Sequence, residues 1–172
     1  MMNAYVALLR AINVGGTGKL AMTELVMLCE AAGFAQVRTY IASGNVVFAS
    51  DLDEAQVRRA LKEQIMAHTG KNVGVLVRTA AEMADVVARN PWRDTPANRV
   101  MALFVDAPLP VHPLDGTTGL KDEVVRLGLR ELFVQYPSGM ASTRLRLPAE
   151  KLGTARNMNT VARLADMAAA IT

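Results

Sequence analysis

The order in which strand-like and helix-like periodicities follow one another in residues 1–80 constrains this chain more than any other feature. Tyr5 to Leu9 is an apolar run that reads as a buried strand. Met22, Leu25, Val26, Cys29 and Ala32 then recur at helical spacing, with Gly33 where a left-handed C-cap belongs. Val37, Thr39 and Ile41 alternate with Arg38 and Tyr40. Ser43-Gly44-Asn45 is a turn and Val46-Val47-Phe48 returns, so these runs form a hairpin. Asp51 and Glu54 read as a capping box, and Val57, Leu61 and Ile65 mark one face of a second helix closed by Gly70. Val73, Val75 and Val77 supply a fourth strand. The order βαββαβ is the ferredoxin-like one.

The second half is less regular. Glu82 to Ala88 reads as helix and stops before Asn90-Pro91-Trp92. Val100 to Val105 reads as a strand, and the prolines of residues 107–113 require a loop. Glu123 to Leu127 and Leu132 to Tyr136 read as two further strands. Val161, Leu164, Ala165, Ala168 and Ile171 share one face of a last helix, capped by Asn157 or Asn159. The fold class is therefore α+β. A ferredoxin-like half with an antiparallel sheet, residues 1–80, is expected to pack against a smaller α+β half, residues 81–172, that ends in a long helix.

A hydrophobic content of 51% over 172 residues supports a packed core and excludes a disordered chain. The apolar runs are too short to span a bilayer, and Met1-Met2-Asn3-Ala4-Tyr5 lacks a basic secretory n-region. One cysteine, Cys29, rules out an intrachain disulfide framework, so a cytoplasmic setting is expected. A net charge of +3 fits anionic partners without the clustered charge of a dedicated nucleic-acid binder. Aromatic residues, at 5%, are too few for a single-strand stacking platform.

The first strand runs into Arg10-Ala11-Ile12-Asn13-Val14-Gly15-Gly16-Thr17-Gly18-Lys19, a glycine-rich segment followed by a helix. Such a segment exposes backbone N–H groups, and the helix after it aims its positive end at the same place. Topology adds a second set of groups. In a sheet of order 4-1-3-2 the third strand begins where the first one ends, so the Ser43-Gly44-Asn45 turn is expected beside Arg10 and the glycine segment. Two cations, two amides and backbone donors suit an oxyanion. A Walker A reading fails, because Leu20 stands where Ser or Thr would hold magnesium and Asn13 where the first glycine belongs. A dinucleotide fingerprint fails as well, because no G-x-G-x-x-G opens the helix.

Other chemistries find little support. His68 and His112 have no ligand spacing with Cys29, so no metal is expected. His68 falls in a last helical turn, Cys29 on an apolar helix face, and there is no G-x-S-x-G elbow. Asp115, Asp122 and Glu123 read as a solvated loop. Arg156-Asn157 reads as the start of the last helix, where a cation is electrostatically misplaced unless an anion joins it.

Three segments together carry a family resemblance. They are Leu8-Leu9-Arg10-Ala11-Ile12-Asn13-Val14-Gly15-Gly16, followed by Met22, then Arg38-Thr39-Tyr40-Ile41-Ala42-Ser43-Gly44-Asn45-Val46-Val47-Phe48, and finally Thr154-Ala155-Arg156-Asn157-Met158-Asn159-Thr160-Val161. In this order the chain resembles the bacterial domain of unknown function 1697 family over nearly its whole length. It departs at Ala11, where the family has glycine, and at Met158, where it has tryptophan. The resemblance implies a cytoplasmic α+β protein and supplies no activity. It also implies a shared polar set: Arg10, Asn13, Lys19, Tyr40, Ser43, Asn45, Arg156 and Asn157, with the last two facing the others across the junction of the halves.

The leading functional expectation is a binding module for a phosphate-bearing ligand, either a nucleotide or a nucleic acid. Arg10, Lys19 and Arg156 would supply charge, the Gly15 and Gly16 amides would contact the oxyanion, and Asn13, Ser43 and Asn45 would orient it, with Tyr40 and Asn157 joining the site as the resemblance implies. No cofactor is implied. A second reading is a small hydrolase or transferase acting on a phosphorylated or acyl substrate at the same place, with only Ser43 or Tyr40 at hand as a nucleophile. A third is a structural or protein-interaction module.

Overall fold

The computed structural model describes residues 2–10 and 20–171. The chain divides into two compact units, Met1–Ala84 with Arg163–Thr172, and Asp85–Ala162. The first unit holds β1 (Asn3–Leu9), α1 (Met22–Ala31), β2 (Ala35–Thr39), β3 (Asn45–Ser50), α2 (Glu54–Thr69) and β4 (Val75–Thr79). Its sheet has the order β2-β3-β1-β4 with every neighbour antiparallel, which is the ferredoxin-like arrangement. Because strand side chains alternate between faces, Tyr5, Ala7 and Leu9 share one face with Val46, Phe48, Val75 and Val77. That face packs on Leu25, Leu28 and Cys29 of α1 and on Val57, Leu61 and Ile65 of α2. Phe34 stacks on Phe48 with 4.2 Å between ring centroids.

The two helices begin differently. At α2, Asp53 accepts from the Gln56 amide while the Gln56 side chain accepts from the Asp53 amide, a full capping box. The box thus lies two residues beyond the expected Asp51–Glu54 pair. The N-cap of α1 is Ala21, which has no side chain to accept a hydrogen bond. His68 in the last turn of α2 meets Glu24 in the first turn of α1 at 2.6 Å, joining the helices rather than only closing its own.

Helix α3 (Ala80–Ala88) starts in the first unit and ends in the second. The second unit has its own four-stranded sheet from β5 (Val100–Phe104), β6 (Val124–Leu127), β7 (Glu131–Gln135) and β8 (Thr154–Asn157). Its order is β6-β7-β5-β8, again antiparallel throughout. Counted from its own first strand, this is the order of the first sheet. The connections differ, however. Residues 105–123 between β5 and β6 contain no helix, and residues 136–153 between β7 and β8 contain only the 3-10 turn Pro148–Lys151. Helix α4 (Met158–Ala169) closes the fold. Among the described residues no helix is long and apolar enough to cross a membrane.

Candidate functional site

Three strand ends meet in the first unit. Asn45, the first residue of β3, lies opposite Leu8 near the end of β1. The Leu9 amide then donates to the Gly44 carbonyl at 2.9 Å, and the Arg10 amide donates to the Gly74 carbonyl, just before β4, also at 2.9 Å. Arg10 therefore leaves the sheet between the β2–β3 turn and the start of β4. The opening of α1 belongs to the same end. Ala35, which follows α1 and Gly33, pairs with Ala49, and Ala49 pairs with Ala4 at the far end of β1. The helix thus ends at the far edge and begins at the edge where β1 finishes.

The turn is built around Asn45, which is fully buried. Its Nδ2 donates to the Tyr40 carbonyl at 3.1 Å and to Ser43 Oγ at 2.9 Å, while its carbonyl accepts from the Tyr40 amide. Gly44 takes φ +80°, as its lack of a Cβ allows. Ile41 takes φ +51° and is 53% exposed. A β-branched residue in the left-handed region is strained. Alternation had suggested that the strand continues through Ile41; β2 instead ends at Thr39, and a bulge between Ala35 and Arg38 shifts its register.

The fold thus gathers Arg10, Tyr40, Ser43 and Asn45 at one sheet end. Asn13, Gly15, Gly16 and Lys19 lie outside the described residues. Arg156 and Asn157 belong to the second unit, and Arg156 is not at a helix start. It is a β8 residue opposite Ala102 on β5. Its buried guanidinium donates to Thr154 Oγ1 at 2.7 Å and to the Ala155 carbonyl at 3.0 Å. Desolvation pushes its pKa down to about 10, which leaves it cationic at neutral pH. Asn157 is the cap of α4, its Oδ1 accepting from the Thr160 amide at 2.9 Å.

Some polar groups were not foreseen. Arg78 is almost wholly buried, donating to the Val77 carbonyl. Buried Glu131 is ion-paired with Arg89 and accepts from the Leu129 and Arg130 amides. Glu123, expected in a solvated loop, is buried to 8% exposure. It accepts from the Lys121 amide at 2.8 Å and Thr143 Oγ1 at 2.5 Å, and these bonds hold its carboxyl below the usual range. Trp92 faces Arg126, whose guanidinium carbon stands 5.9 Å from the ring centroid. Among the described residues no three His, Cys, Asp or Glu side chains come together as a metal site would require.

A family described as "Protein of unknown function (DUF1697)" matches residues 2–133 of the chain. Among solved structures, the conserved bacterial protein SP0830 from Streptococcus pneumoniae is similar with a TM-score of 0.82. The two share 26% of their residues, over 98% of this chain and 99% of that one. No curated protein matches.

Proposed function

The chain belongs to the DUF1697 family of proteins of unknown function, and we propose that it binds a phosphate-bearing ligand where β1 ends in the first unit. The observation that carries this reading is the meeting of Arg10 with the Asn45 turn and the opening of α1 at one sheet edge. A helix whose N-cap is alanine has no capping side chain at that position, and an anion satisfies first-turn N–H groups and the helix dipole together. Arg10 supplies charge at that edge. Asn13, Gly15, Gly16 and Lys19, outside the described residues, belong to the same proposal as further ligand-binding groups. Strain at Ile41 supports the reading, since left-handed β-branched residues persist where a site needs a particular backbone path. Ser43 Oγ accepts from Asn45 Nδ2, and the Tyr40 backbone is bonded to Asn45 through both its amide and its carbonyl, which suits orientation more than nucleophilic attack.

The test is thermal unfolding of the wild type and Arg10→Ala with phosphate, sulfate, nucleotides and short oligonucleotides. A ligand at about 100 times its Kd stabilises by about 2.7 kcal/mol. The expected result is a shift with at least one of these anions that Arg10→Ala loses. Absence of any shift would turn the reading towards a protein-interaction module.

A further inference from the structure

The two sheets share one strand order, yet only the first fills its crossovers with helices. In the second unit, residues 105–123 and 136–153 run as long irregular connections, and such loops in a compact fold are usually either functional or mere linkers. These two are fastened to one another. Thr118 and Arg146 exchange backbone hydrogen bonds at 3.1 and 2.9 Å. Gly119, at φ +74°, lies so close to the Arg144 carbonyl that a Cβ would overlap it. Thr143 Oγ1 donates to Glu123, and Ser138 Oγ donates to Asp122.

Between the connections lies a cavity of about 420 Å³, within the ~300–1,000 Å³ common for small-molecule sites. Its wall includes Lys121, Asp122, Glu123, Ser142 and Arg144. The charges divide into two kinds. Both carboxylates already accept hydroxyl donors from the opposite connection, which ties them to the wall and leaves further lone pairs for donors inside the cavity. Lys121 and Arg144, by contrast, form no ion pair among the described residues. A wall that combines Arg144 and Lys121, the latter also favouring the ionised Glu123 carboxylate, with hydroxyl-bonded carboxylates matches a ligand carrying both an oxyanion and hydroxyl groups.

We propose that the cavity between the two irregular crossovers of the second sheet binds a small hydroxylated oxyanion, with Lys121 and Arg144 holding the anionic group and Asp122 accepting from ligand hydroxyls. The shared chemistry covers both sugar phosphates and sugar acids. This site is separate from the one proposed at the end of β1 and does not depend on it.

Isothermal titration with glucose 6-phosphate and gluconate, beside neutral glucose and inorganic phosphate, tests the assignment. The wild type is expected to bind at least one of the two hydroxylated anions more tightly than either control. The double variant Lys121→Ala/Arg144→Ala is expected to bind it at least tenfold more weakly with unchanged thermal unfolding, since both side chains are exposed. The titrations are made in the Arg10→Ala background as well, where the anion site proposed at the end of β1 is disabled, and binding of the hydroxylated anion is expected to persist there, which separates this site from the other. Failure of both hydroxylated anions to bind at millimolar concentration would overturn the proposal. So would equal affinity for inorganic phosphate, unaltered binding in the double variant, or loss of binding in Arg10→Ala.

Discussion

The aliphatic stem of Arg10 lies across Gly74, whose carbonyl accepts the Arg10 amide at 2.9 Å. A Cβ at Gly74 would stand 2.9 Å from Arg10 Cδ and 3.2 Å from Cγ. The flexible stem can give way, and the glycine is not in the left-handed region, so Gly74→Ala is expected to alter stability by no more than about 0.5 kcal/mol. The displaced guanidinium should nonetheless diminish the anion-induced thermal shift, much as Arg10→Ala is expected to. Comparing unfolding with and without the best anion checks both halves of the expectation.

Asn45 holds the neighbouring turn from inside. Its truncation leaves the Tyr40 carbonyl and the Ser43 hydroxyl without the Nδ2 donor in a partly buried place. Asn45→Ala is expected to cost about 1–3 kcal/mol, read from the midpoint of urea unfolding. A neutral outcome would mean that water or another donor replaces the amide.

Ile41 supplies the opposite expectation. A left-handed conformation costs an L-residue roughly 1–2 kcal/mol, and glycine adopts it freely. With its side chain 53% exposed, little burial is forfeited. Ile41→Gly is thus expected to raise stability by about 1 kcal/mol in the same urea titration, and a loss of stability would contradict the strain.

The first unit was legible because its burial is one-sided: apolar residues repeat with period two or at helical spacing, and the strand order then follows. The meeting of Arg10 with the Asn45 turn came from that order alone. The start of α2 was ambiguous because Asp51–Glu54 and Asp53–Gln56 both fit a capping box, and only the backbone path chooses between them. Thr154 to Asn157 shows no alternation, so β8 is set by pairing with β5 rather than by pattern, and Arg156 was misplaced with it. The shared strand order of the two sheets was hidden because the second lacks crossover helices. Asp122, Glu123, Ser138 and Thr143 meet through two loops, and no local spacing announces such a meeting.

The buried ion pair of the second unit yields an asymmetric expectation. Glu131 is 2% exposed, whereas Arg89 remains partly solvated, bonds Asp85 at 2.7 Å and lies 6.0 Å from the Phe133 ring centroid. Arg89→Ala strands a buried carboxylate and is expected to cost about 3 kcal/mol. Glu131→Gln removes the charge but keeps one acceptor oxygen, so one of the Leu129 and Arg130 amides loses its acceptor and about 1–2 kcal/mol is expected. Equal costs in denaturant titrations would argue that the pair, rather than the isolated carboxylate, sets the energy.

Cys29 makes stability depend on alkaline pH. The thiol is buried among α1 and sheet residues, and desolvation, reinforced by Glu30, pushes its pKa from 9.0 to about 12. A folded-state pKa above the unfolded one favours the folded protein fully below pH 9. As pH rises further the unfolded thiol ionises while the folded one does not. Stability from this group should then fall by roughly 1 kcal/mol per pH unit between about 9 and 12. Cys29→Ala introduces a cavity cost that does not vary with pH, but it is expected to flatten that alkaline slope. The thiol of the wild type should react with iodoacetamide at pH 8 only at the rate of unfolding. Rapid labelling of the folded protein would show the thiol to be open to solvent and remove the basis for the slope.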